Sequence, residues 1–134
     1  MAAAVADFRP VARAEGKIKK NLGVPEIVLE PTPDILAALG AAKPAGQVLV
    51  GFAAETDDLL ANAASKLERK RLDLVVANDV SAPGVGFQHD TNAVTLVLPG
   101  GVTRVVDLAD KRRIAATVLD TVLDIRGQRA APTA

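Results

Sequence analysis

The segment Glu15-Gly16-Lys17-Ile18-Lys19-Lys20 gathers three lysines within four residues. Such a patch neutralises phosphate oxygens, because lysine acts as a mobile point charge. Each contact at ~4 Å and an effective dielectric of ~20 supplies up to ~4 kcal/mol before desolvation. A solvated loop accounts for the same residues. A second candidate is Thr32-Pro33-Asp34-Ile35-Leu36, which reads as a helix start. Its free N–H groups suit an anion or a base edge, or they need only a cap. A third is Gly51-Phe52-Ala53-Ala54-Glu55-Thr56, at the C-terminal end of an apolar run. Gly51 and the alanines let a flat ring approach, and Phe52 either stacks on it or fills a core. Lys66 and Lys70 stand four apart and share a helix face, although Glu68, Arg69 and Arg71 make that region charged in any case. Asn78-Asp79-Val80-Ser81 suits a metal, hydroxyl groups or a plain turn. His89, the one histidine, lies beside Asp90 but has no nucleophilic partner, so it reads as a loop residue. Neither a glycine-rich dinucleotide fingerprint, nor a P-loop, nor a metal-ligand cluster is present in the sequence.

The elements that position these residues are legible from periodicity. Four apolar runs, Ala2–Ala6, Ile27–Leu29, Val48–Phe52 and Leu74–Ala77, read as strands, the last two as strands buried on both faces. Between those two, Leu59, Leu60, Ala63, Ala64 and Leu67 recur at helical spacing, with Thr56 as the expected N-cap and Lys70 and Arg71 in the last turn. A shorter helix is expected to open with Thr32 as cap and Pro33 at its first position, and to close at Gly40. Ala93–Leu98 and Val102–Leu108 flank Pro99-Gly100-Gly101 as a hairpin, and a last helix runs from Asp107 or Asp110 to about Ile125. The order predicts an α/β, Rossmann-like three-layer fold. Its sheet is mostly parallel and ends in a β-hairpin and a closing helix. Opening on a buried-type strand, the chain reads as an incomplete domain over residues 1–126 with a flexible tail at 127–134.

Composition narrows the classes. With 134 residues, 49% hydrophobic, the chain suits one compact domain and not a disordered one. Sixteen basic residues balance sixteen acidic ones, which argues against a nucleic-acid or membrane-surface binder. Its aromatics are three scattered Phe, too few for a base-stacking platform. The absence of cysteine excludes a disulfide scaffold and thiolate zinc. Without a spanning apolar run or a signal-type opening, a cytoplasmic location is expected.

Taken in order, MAAAVADFRP, EGKIKK, TPDIL, VGFAAET, KLERKRLDLVVANDVS and GFQHDTNAV resemble the phosphopantothenate–cysteine ligase domain of bifunctional coenzyme A biosynthesis proteins. The resemblance covers roughly Met1 to Val94, and the hairpin and last helix fit in position. It implies ligation of 4′-phosphopantothenate to cysteine with CTP and Mg²⁺, through an acyl-CMP intermediate. It also implies a homodimer formed through the ligase domain, for which the hairpin Ala93–Leu108 is a candidate contributor. Upstream there would be the rest of the ligase domain and a separate decarboxylase domain holding FMN. By resemblance, Met1, Ala2 and Ala3 offer backbone groups to the nucleotide, and Asp7 holds ribose hydroxyls or organises the cation. Lys17 grips the triphosphate as the catalytic residue, and Pro33, Asp34, Ile35 and Leu36 present a helix start that helps read cytosine or holds the nucleotide. Phe52 lines the base pocket, and Lys66 and Lys70 complete the phosphate grip. Asn78 and Asp79 match a family motif without an assigned contact. The family's earlier glycine-containing turn and asparagine-bearing segment have no counterpart in this sequence. A non-catalytic nucleotide-binding or dimerisation module is therefore the alternative, and a nicotinamide-dependent enzyme a weaker third.

Overall fold

The computed structural model describes residues 5–19, 23–55, 58–79 and 89–130. Where composition predicts one compact domain, the chain divides into two units, Met1–Ile35 and Leu36–Ala134.

In the first unit, β1 (Phe8–Pro10) pairs antiparallel with β2 (Leu29–Pro31), Arg9 opposite Glu30. Arg9 Nε donates to Glu30 Oε1 at 2.7 Å. The ladder is closed at one end by Val11 N–H donating to Val28 O at 3.0 Å, and at the other by Thr32 N–H donating to Asp7 O at 2.9 Å. This corrects the expected strand over Ala2–Ala6: Val5 and Ala6, its described part, are exposed and lie outside any strand. Pairing begins only at Phe8, where β2 supplies a partner, while the Ala6 carbonyl accepts the Thr32 hydroxyl at 2.5 Å. Of the Ile27–Leu29 run, only Leu29 enters a strand. Thr32 is thus engaged with β1's approach and does not cap a helix. Pro33 and Asp34 precede α1 (Ile35–Ala41), which starts two residues later than expected.

The second unit is a four-stranded sheet in the order β3 (Val50–Glu55), β4 (Leu74–Asp79), β5 (Thr91–Val97), β6 (Thr103–Asp110). α2 (Leu59–Arg69) is the crossover between β3 and β4, which pair in parallel; the hairpin supplies the two antiparallel pairings. Alternation along β4 divides the core. Val75 and Ala77 pack with Ala53, Ala63 and Leu67 on the α2 side. Leu74 and Val76 pack with Leu96, Ile114, Val118 and Ile125 on the side of α3 (Lys111–Ala130). Helices on both faces make three layers, as a strand buried on both faces requires.

Local details depart from expectation for steric reasons. Gly40 does not end α1 but lies buried inside it, because a Cβ there would fall on the Lys70 carbonyl. The N-cap of α2 is Asp58, in left-handed conformation at φ 47° and without a side-chain cap bond. Thr56 and Asp57 lie outside the described residues. The hairpin turns through Gly100 and Gly101 at φ 77° and 78°, a region that glycine enters at little cost. An extra residue on β6, between Val106 and Ala109, lets both of those face the α3 core and leaves Leu108 outside, 55% exposed. Asp110 caps α3, its carboxylate accepting Arg113 N–H at 3.0 Å. The helix continues through Ala130, so the expected flexible tail from 127 is helical for its described part.

Asp73, 3% exposed, ties this unit together. Its Oδ1 accepts Lys43 Nζ at 2.8 Å and also the Arg129 guanidinium, while Oδ2 accepts Leu49 N–H at 2.7 Å. Burial by itself raises its pKa, but the hydrogen bonds from Lys43, Leu49 N–H and Arg129 outweigh that and hold it below the ordinary carboxylate value. A depressed folded pKa contributes stability that is complete above the unfolded value of about 3.9 and is lost as pH falls through the folded one. Unfolding in urea is expected to show stability steady from neutral pH to about 5 and falling below about 4. Asp73→Ala is expected to cost about 2 kcal/mol at pH 7 by removing the buried carboxylate that Lys43, the half-exposed Arg129 and Leu49 N–H share, and to flatten that acid limb.

Candidate functional site

The sequence-derived candidates fall in both units. Met1, Ala2 and Ala3 lie outside the described residues, as do Lys20, Val80 and Ser81. In the first unit, Asp7 is exposed just before β1, and Lys17 is exposed in the connection from β1 to β2. In that same connection a groove of about 350 Å³ is lined by Ile18, Lys19, Gly23, Val24 and Pro25. Lys17 itself does not line that groove; it is exposed and adjoins the lining residues Ile18 and Lys19 in the chain.

Pro33 and Asp34 form the extended approach to α1, and Ile35 and Leu36 its first turn. Leu36 is largely a packing residue, seated against the α2-side core and over Gly51. The same close approach explains the glycine at 51, where a Cβ would meet Leu72 Cδ1 at 2.6 Å.

Phe52 resolves the choice between core and surface. It alternates with Gly51 and Ala53, so it shares the α3-side face with Val50 and Ala54, and its ring is 71% exposed. Opposite Ala54 stands Asn78, on the same face at the C-terminal end of β4. Asn78 Oδ1 is buried and has no hydrogen-bond partner. Ligands of open α/β sheets bind at the carboxyl ends of the strands; Ala54 and Asn78 lie near those ends, and Phe52 stands two residues earlier, in mid-strand opposite Val76.

Lys66 and Lys70 are brought together, one turn apart and partly buried on α2, with Lys70 N–H donating to Lys66 O at 3.1 Å. Lys70 is the C-cap residue and lies past the last turn. Because α2 covers the other face of the sheet, the structure does not bring these lysines to Phe52. His89 is an exposed loop residue, as expected. Sequence reasoning missed Asp73, whose partners Lys43 and Arg129 lie 30 and 56 residues away. A buried-type run preceded by a lone Asp was the one available signal.

A parallel strand–helix–strand crossover with helices on both faces of the sheet defines a Rossmann-like α/β domain. The chain belongs to the DNA/pantothenate metabolism flavoprotein C-terminal domain family, whose model matches residues 1–125. It is 44% identical over 126 residues to the coenzyme A biosynthesis bifunctional protein CoaBC of Bacillus subtilis, covering 94% of this chain and 31% of that protein. It is 45% identical over 125 residues to a cysteine/cysteine sulfinic acid decarboxylase of an unknown prokaryotic organism, covering 93% of this chain and 35% of that one. Among solved structures, the C-terminal domain of a CoaBC protein superposes with TM-score 0.67 at 34% identity, over 90% of this chain and 50% of that chain. A Cab2 mutant in complex with phosphopantothenate-cysteine superposes with TM-score 0.69 at 26% identity, over 96% and 43%. The chain thus spans about a third of its full-length relatives and half of the solved domain.

If the Phe52 ring is a ligand shelf and not a core residue, Phe52→Ala should leave stability within about 0.5 kcal/mol of wild type in urea unfolding. A loss of about 2 kcal/mol or more would show that the ring is packed.

Proposed function

We propose that this chain supplies the nucleotide-binding part of a CTP-dependent phosphopantothenate–cysteine ligase of coenzyme A biosynthesis, an acid–amino-acid ligase. The observation that carries this reading is the match to the family across residues 1–125 in unbroken motif order, from the DFRP segment to the closing helix. The chemistry suits the residues. A carboxylate oxygen of 4′-phosphopantothenate attacks the α-phosphorus of CTP, pyrophosphate leaves and acyl-CMP forms. The cysteine amine then attacks the acyl carbon, CMP leaves and the amine proton passes to solvent. The first step needs no general base, since the carboxylate is already ionised at neutral pH; it needs cations where phosphate oxygens gain charge.

Lys17 takes that role as the catalytic residue, its ammonium held in water on the β1–β2 connection. Phe52 supports the base by stacking, and Asp7 accepts from ribose hydroxyls. Met1, Ala2, Ala3 and the Pro33–Leu36 segment contribute backbone groups. Lys66 and Lys70 are assigned to the phosphates by resemblance alone, on the sheet face opposite Phe52. Mg²⁺ supplies charge neutralisation on the triphosphate. Among the described residues no group of three or more His, Cys, Asp or Glu could hold a metal ion. FMN belongs to a separate decarboxylase domain and is assigned no residue of this chain.

The partners in this reading are the remainder of the ligase domain, that decarboxylase domain and a second copy of the chain. Phe8, Val11, Val28 and Leu29 support the last of these, each more than half exposed on a two-stranded sheet that no other element of its unit covers; the hairpin β5–β6 is a further contributor. A cytoplasmic location fits, and no helix of the described residues is long and apolar enough to cross a membrane. The chain's span of half the solved domain favours a second reading for the chain in isolation, a non-catalytic nucleotide-binding or dimerisation module.

Calorimetric titration with CTP and Mg²⁺, with ATP as the control, separates these. Selective CTP binding, weakened about 10- to 100-fold by Lys17→Gln through loss of one charged contact, is the expected result. Silence with both nucleotides from a folded chain would overturn the nucleotide-binding assignment. Unchanged affinity in Lys17→Gln would remove the role given to Lys17.

A further inference from the structure

We propose that the groove between β6 and α3 is a second binding site, for a small phosphate monoester that also carries an amine. The inference is independent of the nucleotide reading above. The groove measures about 320 Å³, a size that suits a small molecule, and is lined by β6 from Arg104 to Ala109 and by Arg113 and Thr117 of α3. β6 is the last strand in the sheet order, beyond β5 from β4, so the groove stands apart from Phe52 and Asn78. Its charges are not explained by folding. The first turn of α3 reads Lys111-Arg112-Arg113 without an acidic residue, although the helix dipole disfavours cations at that end. Among the described residues, the side chains of Arg104, Asp107 and Arg113 make no hydrogen bond or ion pair, although all three line one groove. Asp107 belongs to the bulge of β6, and bulges commonly re-aim a side chain toward a site. Charges of both signs, gathered on one groove and left apart, suit a ligand that bridges them.

The donor set defines the ligand. The two guanidiniums come from different elements, one from a strand and one from a helix. Each is a planar fork of donors suited to two oxygens of one acid group. A carboxylate is filled by a single fork, whereas a tetrahedral phosphate has oxygens enough to meet both. The Thr117 hydroxyl already donates to the Arg113 carbonyl at 3.0 Å, so toward the groove its oxygen only accepts. Asp107, as a carboxylate, likewise offers only acceptors. These two residues therefore call for a donor on the ligand, and an ammonium satisfies them while offsetting the carboxylate charge. An aromatic or purely apolar ligand is disfavoured, because the walls of the groove are mainly polar.

The test titrates phosphoethanolamine, ethyl phosphate and inorganic phosphate into the chain and follows backbone amide shifts by NMR, with circular dichroism to establish folding of each variant. Phosphoethanolamine is expected to saturate at millimolar concentration or below, to bind more tightly than the other two, and to move the amides of Arg104, Asp107, Arg113 and Thr117. Arg104→Gln and Arg113→Gln should each weaken it about tenfold or more, the size of one charge-assisted contact. Asp107→Asn should bring phosphoethanolamine and ethyl phosphate to equal affinity, because the ammonium loses its charged partner. Arg112→Gln removes a charge from the same helix turn without touching the groove and should leave the affinity unchanged. Equal weakening by Arg112→Gln marks a diffuse positive surface and overturns the site. Absence of saturation, or unchanged affinity in either groove arginine variant, overturns it too. Inorganic phosphate binding as tightly as phosphoethanolamine, or a preference that survives Asp107→Asn, overturns the amine-bearing ligand. These variants leave Lys17 and Phe52 in place, so CTP binding measured alongside reports separately on the nucleotide reading.

Discussion

The carboxylate of Asp73 is the constraint on which the larger unit depends. It joins three places that are remote in the chain: Lys43 after α1, the backbone at Leu49 entering β3, and Arg129 near the end of α3. Lys43 also donates to the Arg71 carbonyl at 2.7 Å and Arg129 to the Gln47 carbonyl at 3.1 Å, so the same two cations also tie down loop backbone. A buried charge is tolerable only when paired and hydrogen-bonded, and Asp73 meets that condition with both of its oxygens. The cluster sits at the start of β4, so it fixes where the parallel pair β3–β4 begins and leaves the opposite end free for chemistry.

Near that opposite end Asn78 of β4 stands against Ala54 of β3. The sheet interior is made of Val, Leu and Ala, thin enough for helices to pack closely on both faces. The one Phe among the second unit's described residues is mostly exposed, on the same sheet face as Ala54 and Asn78. An exposed Phe and an unsatisfied amide oxygen are both unfavourable for folding by themselves. The first unit has a comparable imbalance: a three-residue ladder stabilised by one cross-strand ion pair exposes more apolar surface than it covers.

The proposed chemistry explains why the chain lacks the residues usually sought in an active site. Acyl activation by a nucleotide starts from an ionised carboxylate and ends with an amine, so neither a serine nor a cysteine nucleophile nor a histidine base is needed. Cations and alignment carry such a reaction, and lysines on an exposed connection suit the purpose. The relative named for cysteine decarboxylation shares only the portion that corresponds to this chain, about a third of its length. Its name therefore does not by itself move the reading away from the ligase.

By itself the sequence determined the order of elements, the parallel crossover, the hairpin with its glycine turn and the closing helix. Each of these rests on local periodicity, turn chemistry or capping within a few residues. The ordered motifs likewise revealed the family. Only the tertiary structure decided the rest. Thr32 looked like a cap but bonds Ala6, Gly40 looked like a helix stop but lies against Lys70, and Ala2–Ala6 looked like a buried strand but has an exposed described end. In each case a partner distant in sequence took the group that local rules assign to its neighbours. The same holds for the site: spacing could place Lys66 beside Lys70 and Phe52 on a strand. Which face each one occupies, and whether Phe52 and Asn78 share it, depends on the register of β3 against β4, which is set by cross-strand packing and not by either strand alone.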